Sequence, residues 1–142
     1  METKTNLSAN FTLQEFAKSD MAAKKGIDNN PGEKEIKALE ALCKNILQPL
    51  RDKLDKPVKV SSGYRCPALN QAVGGAPNSQ HAKGEAADIF VPGMSARDVF
   101  NIMRTMGIPF DQLILYPSFV HVSYSVNREK RQQVLYANGV KE

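Results

Sequence analysis

The chain has only two histidines and two cysteines in 142 residues, and no tryptophan at all. Any imidazole-based site must therefore use His81, His121 or both. Two cysteines without a C-x-x-C spacing make neither a disulfide framework nor a zinc ribbon. Cys43 lies in an apolar helical pattern and reads as a buried thiol. Cys66 follows Arg65 in a polar turn, and a Cys43–Cys66 bridge stays open on sequence grounds. Long apolar runs are also missing. Nothing approaches the ~20 residues that span a bilayer, and Met1–Phe11 carries no apolar signal core. The expectation is a protein that is cytoplasmic as synthesised and reaches the outside only through a lesion made by something else. Blocks of Lys and Arg interleaved with aromatics are absent, which argues against nucleic acid as partner. The net charge of +4 fits either an anionic partner, such as an acidic cell-wall polymer, or plain surface lysine.

With 42% hydrophobic residues the chain can bury a core, and its length suits a single domain over residues 1–142, with 1–10 polar and loose. Thr12 and Glu15 have capping-box spacing, with Phe11 and Phe16 placed to clasp over it. Ser19 or Asp20 caps a second short helix that Gly26 ends. From Glu33 to about Leu54 apolar residues recur every three to four positions, which predicts a long helix that Pro49 kinks or interrupts. Val58–Ser61 alternates and reads as a strand entering the core, and Ala68–Val73 reads as a short helix. A loop follows over Gly74–Asn78, then a strand over Ala86–Val91. Ser95 opens an amphipathic helix through Met106 that Gly107 stops. Gln112–Tyr116 and Phe119–Tyr124 form a hairpin around Pro117-Ser118. Arg128–Tyr136 fits either a helix or an edge strand. These elements make an α+β fold: a small, mainly antiparallel sheet with helices packed on one face.

Strand alternation sorts the hairpin. Leu113, Leu115, Val120, Val122 and Tyr124 fall on one face, suited to the helices. Gln112, Ile114, Tyr116, Phe119, His121 and Ser123 fall on the other. Asp88 points opposite to Ala87 and Ile89, and a carboxylate in Ala-Ala-Asp-Ile-Phe is costly to bury without a cation. His81 precedes it by seven positions across a flexible Gly84-containing link. One zinc ion bound by His81, Asp88 and His121 accounts for all three, since zinc takes imidazole and carboxylate donors and keeps a fourth position for water. Each residue alone has a plainer reading: a core or surface histidine, or a turn aspartate.

Taken together, Ser79-x-His81-x-x-Gly84-x-Ala86-x-Asp88, the upstream Ser62-Gly63-Tyr64-Arg65 and the later Val120-His121-Val122-Ser123 resemble, in order, the motifs of the D-alanyl-D-alanine zinc metallopeptidases. That group includes zinc D-Ala-D-Ala carboxypeptidases and phage L-alanyl-D-glutamate endolysins, within the lysostaphin–carboxypeptidase–hedgehog fold group. The resemblance implies Zn2+ held by His81, Asp88 and His121. It implies that Arg65 holds a substrate carboxylate or polarises the scissile carbonyl, and that Ser79 braces His81. It implies a substrate in peptidoglycan stem peptides. Tyr64 packs under Arg65 or lines the cleft; Gln112 and Tyr116 share the face of His121 and are candidates to position water or substrate.

One position departs from the pattern. Many relatives carry an acid three residues before the second zinc histidine, as general base, and here that residue is Ser118. Asp111 falls on the Leu113 face and Glu85 alternates away from Asp88, so the base is unassigned. The expected function is zinc-dependent hydrolysis of a stem-peptide amide. Two other classes stay open: a non-catalytic zinc module of phage or prophage origin that binds cell wall, and a purely structural zinc site whose chelation unfolds the protein.

Overall fold

The computed structural model describes residues 6–74, 79–125 and 132–137. Expectations for 1–5, for most of the loop at 74–78 and for 128–131 lie outside the described residues. Two sheets are present among the described residues. A small hairpin pairs β1 (Asn6–Ser8) with β2 (Phe11–Thr12). The main sheet has five strands, in the order β3 (Lys59–Ser62), β4 (Ala86–Phe90), β6 (Val120–Ser123), β5 (Gln112–Leu115) and β7 (Gln133–Tyr136). The pairings β3–β4, β4–β6 and β5–β6 are antiparallel, while β5–β7 is parallel. The sheet is thus mainly antiparallel, with one parallel edge. Gln133–Tyr136 resolves the ambiguous C-terminal segment as an edge strand.

Local sequence explains most of the boundaries. Around α1 (Leu13–Ala17), the Thr12 amide donates to Glu15 at 2.9 Å. Phe11 and Phe16 close over it with ring centroids 6.3 Å apart. Ser19 caps α2 (Asp20–Lys25) by accepting from the Ala22 amide, and Gly26 ends that helix with φ 67°. Ser95 caps α6 (Ala96–Thr105) in the same way, through the Asp98 amide. The short α5 (Pro67–Ala72) opens on proline, whose missing N–H costs nothing at a first turn.

The long helix is interrupted, as Pro49 predicts, but by widening rather than by breaking. α3 (Glu33–Leu42) passes through one π turn at Cys43–Leu47 into α4 (Gln48–Leu54). The Gln48 amide reaches back to the Cys43 carbonyl, and the Asn45 side chain donates to the Ala41 carbonyl at 2.8 Å. The wide turn sits where a proline two residues into α4 would otherwise crowd the preceding carbonyls. Its apolar stripe is intact: Leu39, Leu42, Cys43, Ile46, Leu47 and Leu50 are fully buried.

These side chains pack on the face of the sheet that carries Ala87, Ile89, Leu113, Val120 and Val122, together with Val99, Phe100 and Met103 of α6. Val58 is buried beside them, but Lys59–Ser62 itself lies at the sheet edge rather than inside the core. Residues 6–10 differ from the loose segment expected. Leu7 is buried, Ser8 Oγ donates to Gln48 Oε1 at 2.7 Å, and the Asn10 amide donates to the same oxygen at 3.0 Å. One leucine among polar residues gives no periodicity to read, yet it anchors the hairpin on the long helix. No described helix is long and apolar enough to cross a membrane. Cys43 and Cys66 are free thiols. Burial, then Glu15 and Glu40, push the Cys43 thiol well above its usual range.

Two glycines fix how closely the site loops approach the helices. A Cβ on Gly63 would lie 2.7 Å from the Phe16 Cα, and one on Gly84, where φ is 74°, would lie 2.5 Å from the Glu35 carbonyl oxygen of α3. Gly84→Ala is expected to destabilise the fold by about 3 kcal/mol or more, because left-handed strain adds to a backbone clash. Gly26→Ala has the same sign of φ and open space around the added carbon, so it should cost only the strain, about 1–2 kcal/mol. Urea denaturation of both variants checks this, and equal losses would contradict the close approach of Gly84 to α3.

Candidate metal centre

The centre is assembled from a turn and two strands. Gln80–Lys83 forms a 3₁₀ turn that Ser79 opens, its Oγ accepting from the His81 amide at 3.2 Å. Gly84 closes the turn in the left-handed conformation, and the chain enters β4. Ala86 and Ala87 are fully buried, so only small residues fit between turn and strand. On β4, Asp88 pairs directly with His121 of β6, and Ser62 of β3 lies opposite Asp88 on the other side. Leu113 and Val122 pair, as do Ile114 and His121, which places His121 on the face away from the helices.

The three side chains converge. His121 Nδ1 lies 2.9 Å from Asp88 Oδ1, and His81 Nε2 lies 3.4 Å from the same oxygen. The two imidazoles meet edge to face, with centroids 5.1 Å apart. Among the described residues these three form a group whose donor atoms all lie within 4.8 Å of one another. The tautomer of His81 is fixed by its neighbour. Its Nδ1 lies 2.7 Å from the Gly63 carbonyl, which can only accept, so Nδ1 carries the proton and Nε2 offers its lone pair to the centre. Burial works against a charge on Asp88, but the hydrogen bonds and charges of His121 and His81 outweigh it and hold its carboxyl at about 2. Two imidazole nitrogens and one ionised carboxylate, partly shielded from water, are the donor set of a hydrolytic zinc site.

Arg65 stands beside this group. Its amide donates to the His81 carbonyl at 3.2 Å and its Nη2 to Ser79 Oγ at 3.4 Å. Its Nε is buried with no hydrogen-bond partner among the described residues. Burial lowers the guanidinium pKa, while the charges of Asp88 and Tyr116 raise it in part. Arg65, Asp88 and Tyr116 thus share one electrostatic neighbourhood.

A profile described as Peptidase M15 matches residues 9–123. The chain belongs to the peptidase M15 family. Part of it is also 48% identical, over 44 residues, to the zinc D-Ala-D-Ala carboxypeptidase of Streptomyces albus G. That stretch is 30% of this chain and 17% of that relative, so the match spans about a sixth of the curated protein.

Within this M15 chain the remaining candidate residues divide. Tyr116 stacks on Phe119, with centroids 4.5 Å apart and planes 11° from parallel, on the face of His121. Tyr64 packs against the core and is almost fully buried, yet it also lines a cleft beside Arg65, and its backbone carbonyl accepts from Asn29 Nδ2 at 2.9 Å. Burial, then Glu35 and Cys66, raise its phenol pKa. Gln112 turns toward the neighbouring edge strand, where its Nε2 donates to Gln133 Oε1 of β7 at 2.8 Å. Ser118 sits exposed in the hairpin turn.

Glu85 and Asp111 are both buried, and neither belongs to the metal group. Gln80 Nε2 donates to Asp111 Oδ2 at 2.9 Å and lies 3.3 Å from Glu85 Oε1. Sequence reasoning missed Gln80. The signal was there in outline: an amide next to His81, and two acids each just before a strand, all needing a partner once buried. Gln80 ties the metal turn to the start of β5, so it steadies His81 through the backbone.

Zinc is expected to bind one per chain. His81→Ala and His121→Ala should weaken it by more than the roughly 10–100-fold that losing an outer partner costs, and Ser79→Ala should fall within that range. Competition against a chromophoric chelator measures all three, and unchanged affinity in either histidine variant would contradict the site. In zinc-free protein, Asp88, held at about 2, stabilises the fold above its unfolded value of about 3.9 and loses that contribution as pH falls through about 2. Acid titration of Asp88→Asn should lack this component.

Proposed function

We propose that the protein is a zinc peptidase that hydrolyses an amide in the stem peptides of bacterial peptidoglycan. The observation that carries this reading is the convergence of His81 Nε2, Asp88 Oδ1 and His121 Nδ1 with Arg65 at their side. Zinc supplies Lewis acidity there: it polarises a carbonyl and lets water act as a nucleophile near neutral pH. The chain's own residues do the rest. Gly63 keeps His81 in the binding tautomer, and Ser79 braces both the turn and Arg65. Arg65, a planar fork of donors, orients a substrate carboxylate or carbonyl against the metal ligands. Tyr116, which lies in the electrostatic neighbourhood of Arg65, is the candidate donor to a developing oxyanion. The family and the zinc D-Ala-D-Ala carboxypeptidase relative support the substrate class. The net charge of +4 suits an anionic wall.

A second reading, a non-catalytic zinc module that binds cell wall, is favoured by one observation. Glu85 and Asp111 are both engaged with Gln80, and the resemblance implies an acid at the position that Ser118 fills. Mass spectrometry of purified peptidoglycan after incubation with zinc-loaded protein, against a chelated control, separates the two. The peptidase reading predicts a new zinc-dependent product, with Arg65→Ala lowering kcat/KM by about 10²–10³. Intact wall that still retains the protein would favour the binding module.

A further inference from the structure

Arg65 is held more firmly by its backbone than by its head group. Among the described residues its guanidinium makes one long hydrogen bond, from Nη2 to Ser79 Oγ at 3.4 Å, and its Nε is buried without a partner. Its direction is therefore set by the peptide units on either side of its Cα. Each unit is planar, so once both are pinned the φ and ψ of Arg65 are fixed and its Cβ points one way.

Asn29 pins both units. Its Nδ2 donates to the Tyr64 carbonyl at 2.9 Å, in the unit that leads into Arg65, and its Oδ1 accepts from the Cys66 amide at 2.8 Å, in the unit that leads out. The N–H of the first unit, that of Arg65 itself, donates to the His81 carbonyl at 3.2 Å. Asn29 thus holds the loop on one side and the metal turn holds it on the other. The remaining Nδ2 hydrogen goes to the Ala17 carbonyl at the end of α1, at 2.9 Å. Both carbonyls can only accept and the Cys66 N–H can only donate, so the partners settle which way the Asn29 amide points. Asn29 is buried, whereas its neighbour in the same turn, Asn30, is exposed and bonds Asp28.

The support of His81 is separate. It comes from the Gly63 carbonyl, and Gly63 lies against Phe16 while the Tyr64 amide donates to the Phe16 carbonyl at 2.8 Å. Removing the Asn29 side chain frees the segment after Tyr64 and leaves the partner of His81 in place.

We infer that Asn29 is a positioning residue for the peptidase reaction and acts through Arg65, by setting where the guanidinium stands beside the metal group. Its effect on turnover rests on the proposed role of Arg65; the clamp itself stands on the hydrogen bonds alone.

A double-mutant cycle on the zinc-loaded full chain tests this, read by cleavage of a synthetic stem peptide and by the Arg65 Nε–H signal in nitrogen-correlated proton NMR, assigned by its loss in Arg65→Lys. Asn29→Ala should lower kcat/KM by about 10–100-fold, the range for losing an outer partner, with zinc affinity unchanged. In an Arg65→Ala background the same substitution should cost no more than about twofold, because the group it acts through is gone. The Nε–H should exchange slowly with water in the unsubstituted protein and fast in Asn29→Ala, while Asn30→Ala should leave both rate and signal as they are. Losses that multiply in the two backgrounds, or zinc affinity that falls together with activity, make Asn29 a purely structural residue and overturn the inference while the peptidase reading stands. If no peptide is cleaved, the peptidase reading fails and the Nε–H signal decides the clamp alone: exchange that is equally slow in Asn29→Ala overturns it. Asn29→Asp, which keeps the acceptor for the Cys66 amide and loses the donors, replaces Asn29→Ala if that variant does not fold. If neither folds with zinc bound, Asn29 is structural and the inference falls.

Discussion

Asp88 is the constraint on which the rest of the structure turns. It is a carboxylate in a strand whose neighbours on the other face, Ala87 and Ile89, are fully buried. A charge in that position needs cations or strong donors around it. The fold supplies them from two directions. The antiparallel pairing of β4 with β6 sets His121 directly across from it, and the 3₁₀ turn folds His81 back over it. That turn fits only because Gly84 lies against the backbone of α3 and Gly63 against α1. The helical layer thus does more than bury apolar surface. It fixes the height at which His81 meets the sheet, and a glycine at each contact sets that height.

Much of this was legible in the sequence, because it depends on short-range rules. The two-residue turn at Pro117-Ser118 fixes the register of the hairpin, and strict alternation then puts Leu113, Leu115, Val120 and Val122 on the core face and His121 on the other. Ser19, Ser95 and Gly26 announce their helix ends through the hydrogen bonds they make. What was not legible depends on partners far along the chain. Leu7 gives no pattern by itself, and its hairpin is tied by Gln48, forty positions along the chain from Ser8. The parallel pairing of β7 with β5 could not be told from a helix by composition. Pro49 signals a disturbance, but whether the helix bends, breaks or widens depends on which carbonyls find other donors, and the Asn45 side chain supplies one to the Ala41 carbonyl. Gln112 shares the face of His121 as expected, yet β7 captures its amide.

The acid question is sharpened by the fold. Glu85 and Asp111 are the nearby carboxylates that the chain could have offered as a base, and both converge on one amide, that of Gln80. Their burial serves the architecture, by tying the metal turn to β5. The catalytic burden under the peptidase reading then falls on the metal's own acidity and on the donors of Arg65 and Tyr116. Such a site would depend steeply on metal occupancy, since Glu85 and Asp111 are both engaged with Gln80.

The most direct test of the central claim is X-ray absorption at the zinc edge on the zinc-loaded protein. Zinc on His81, Asp88 and His121 should show a shell of nitrogen and oxygen donors at about 2.0–2.2 Å with the outer scattering of two imidazoles. A sulfur donor at about 2.3 Å, or an all-oxygen shell without imidazole scattering, would contradict it.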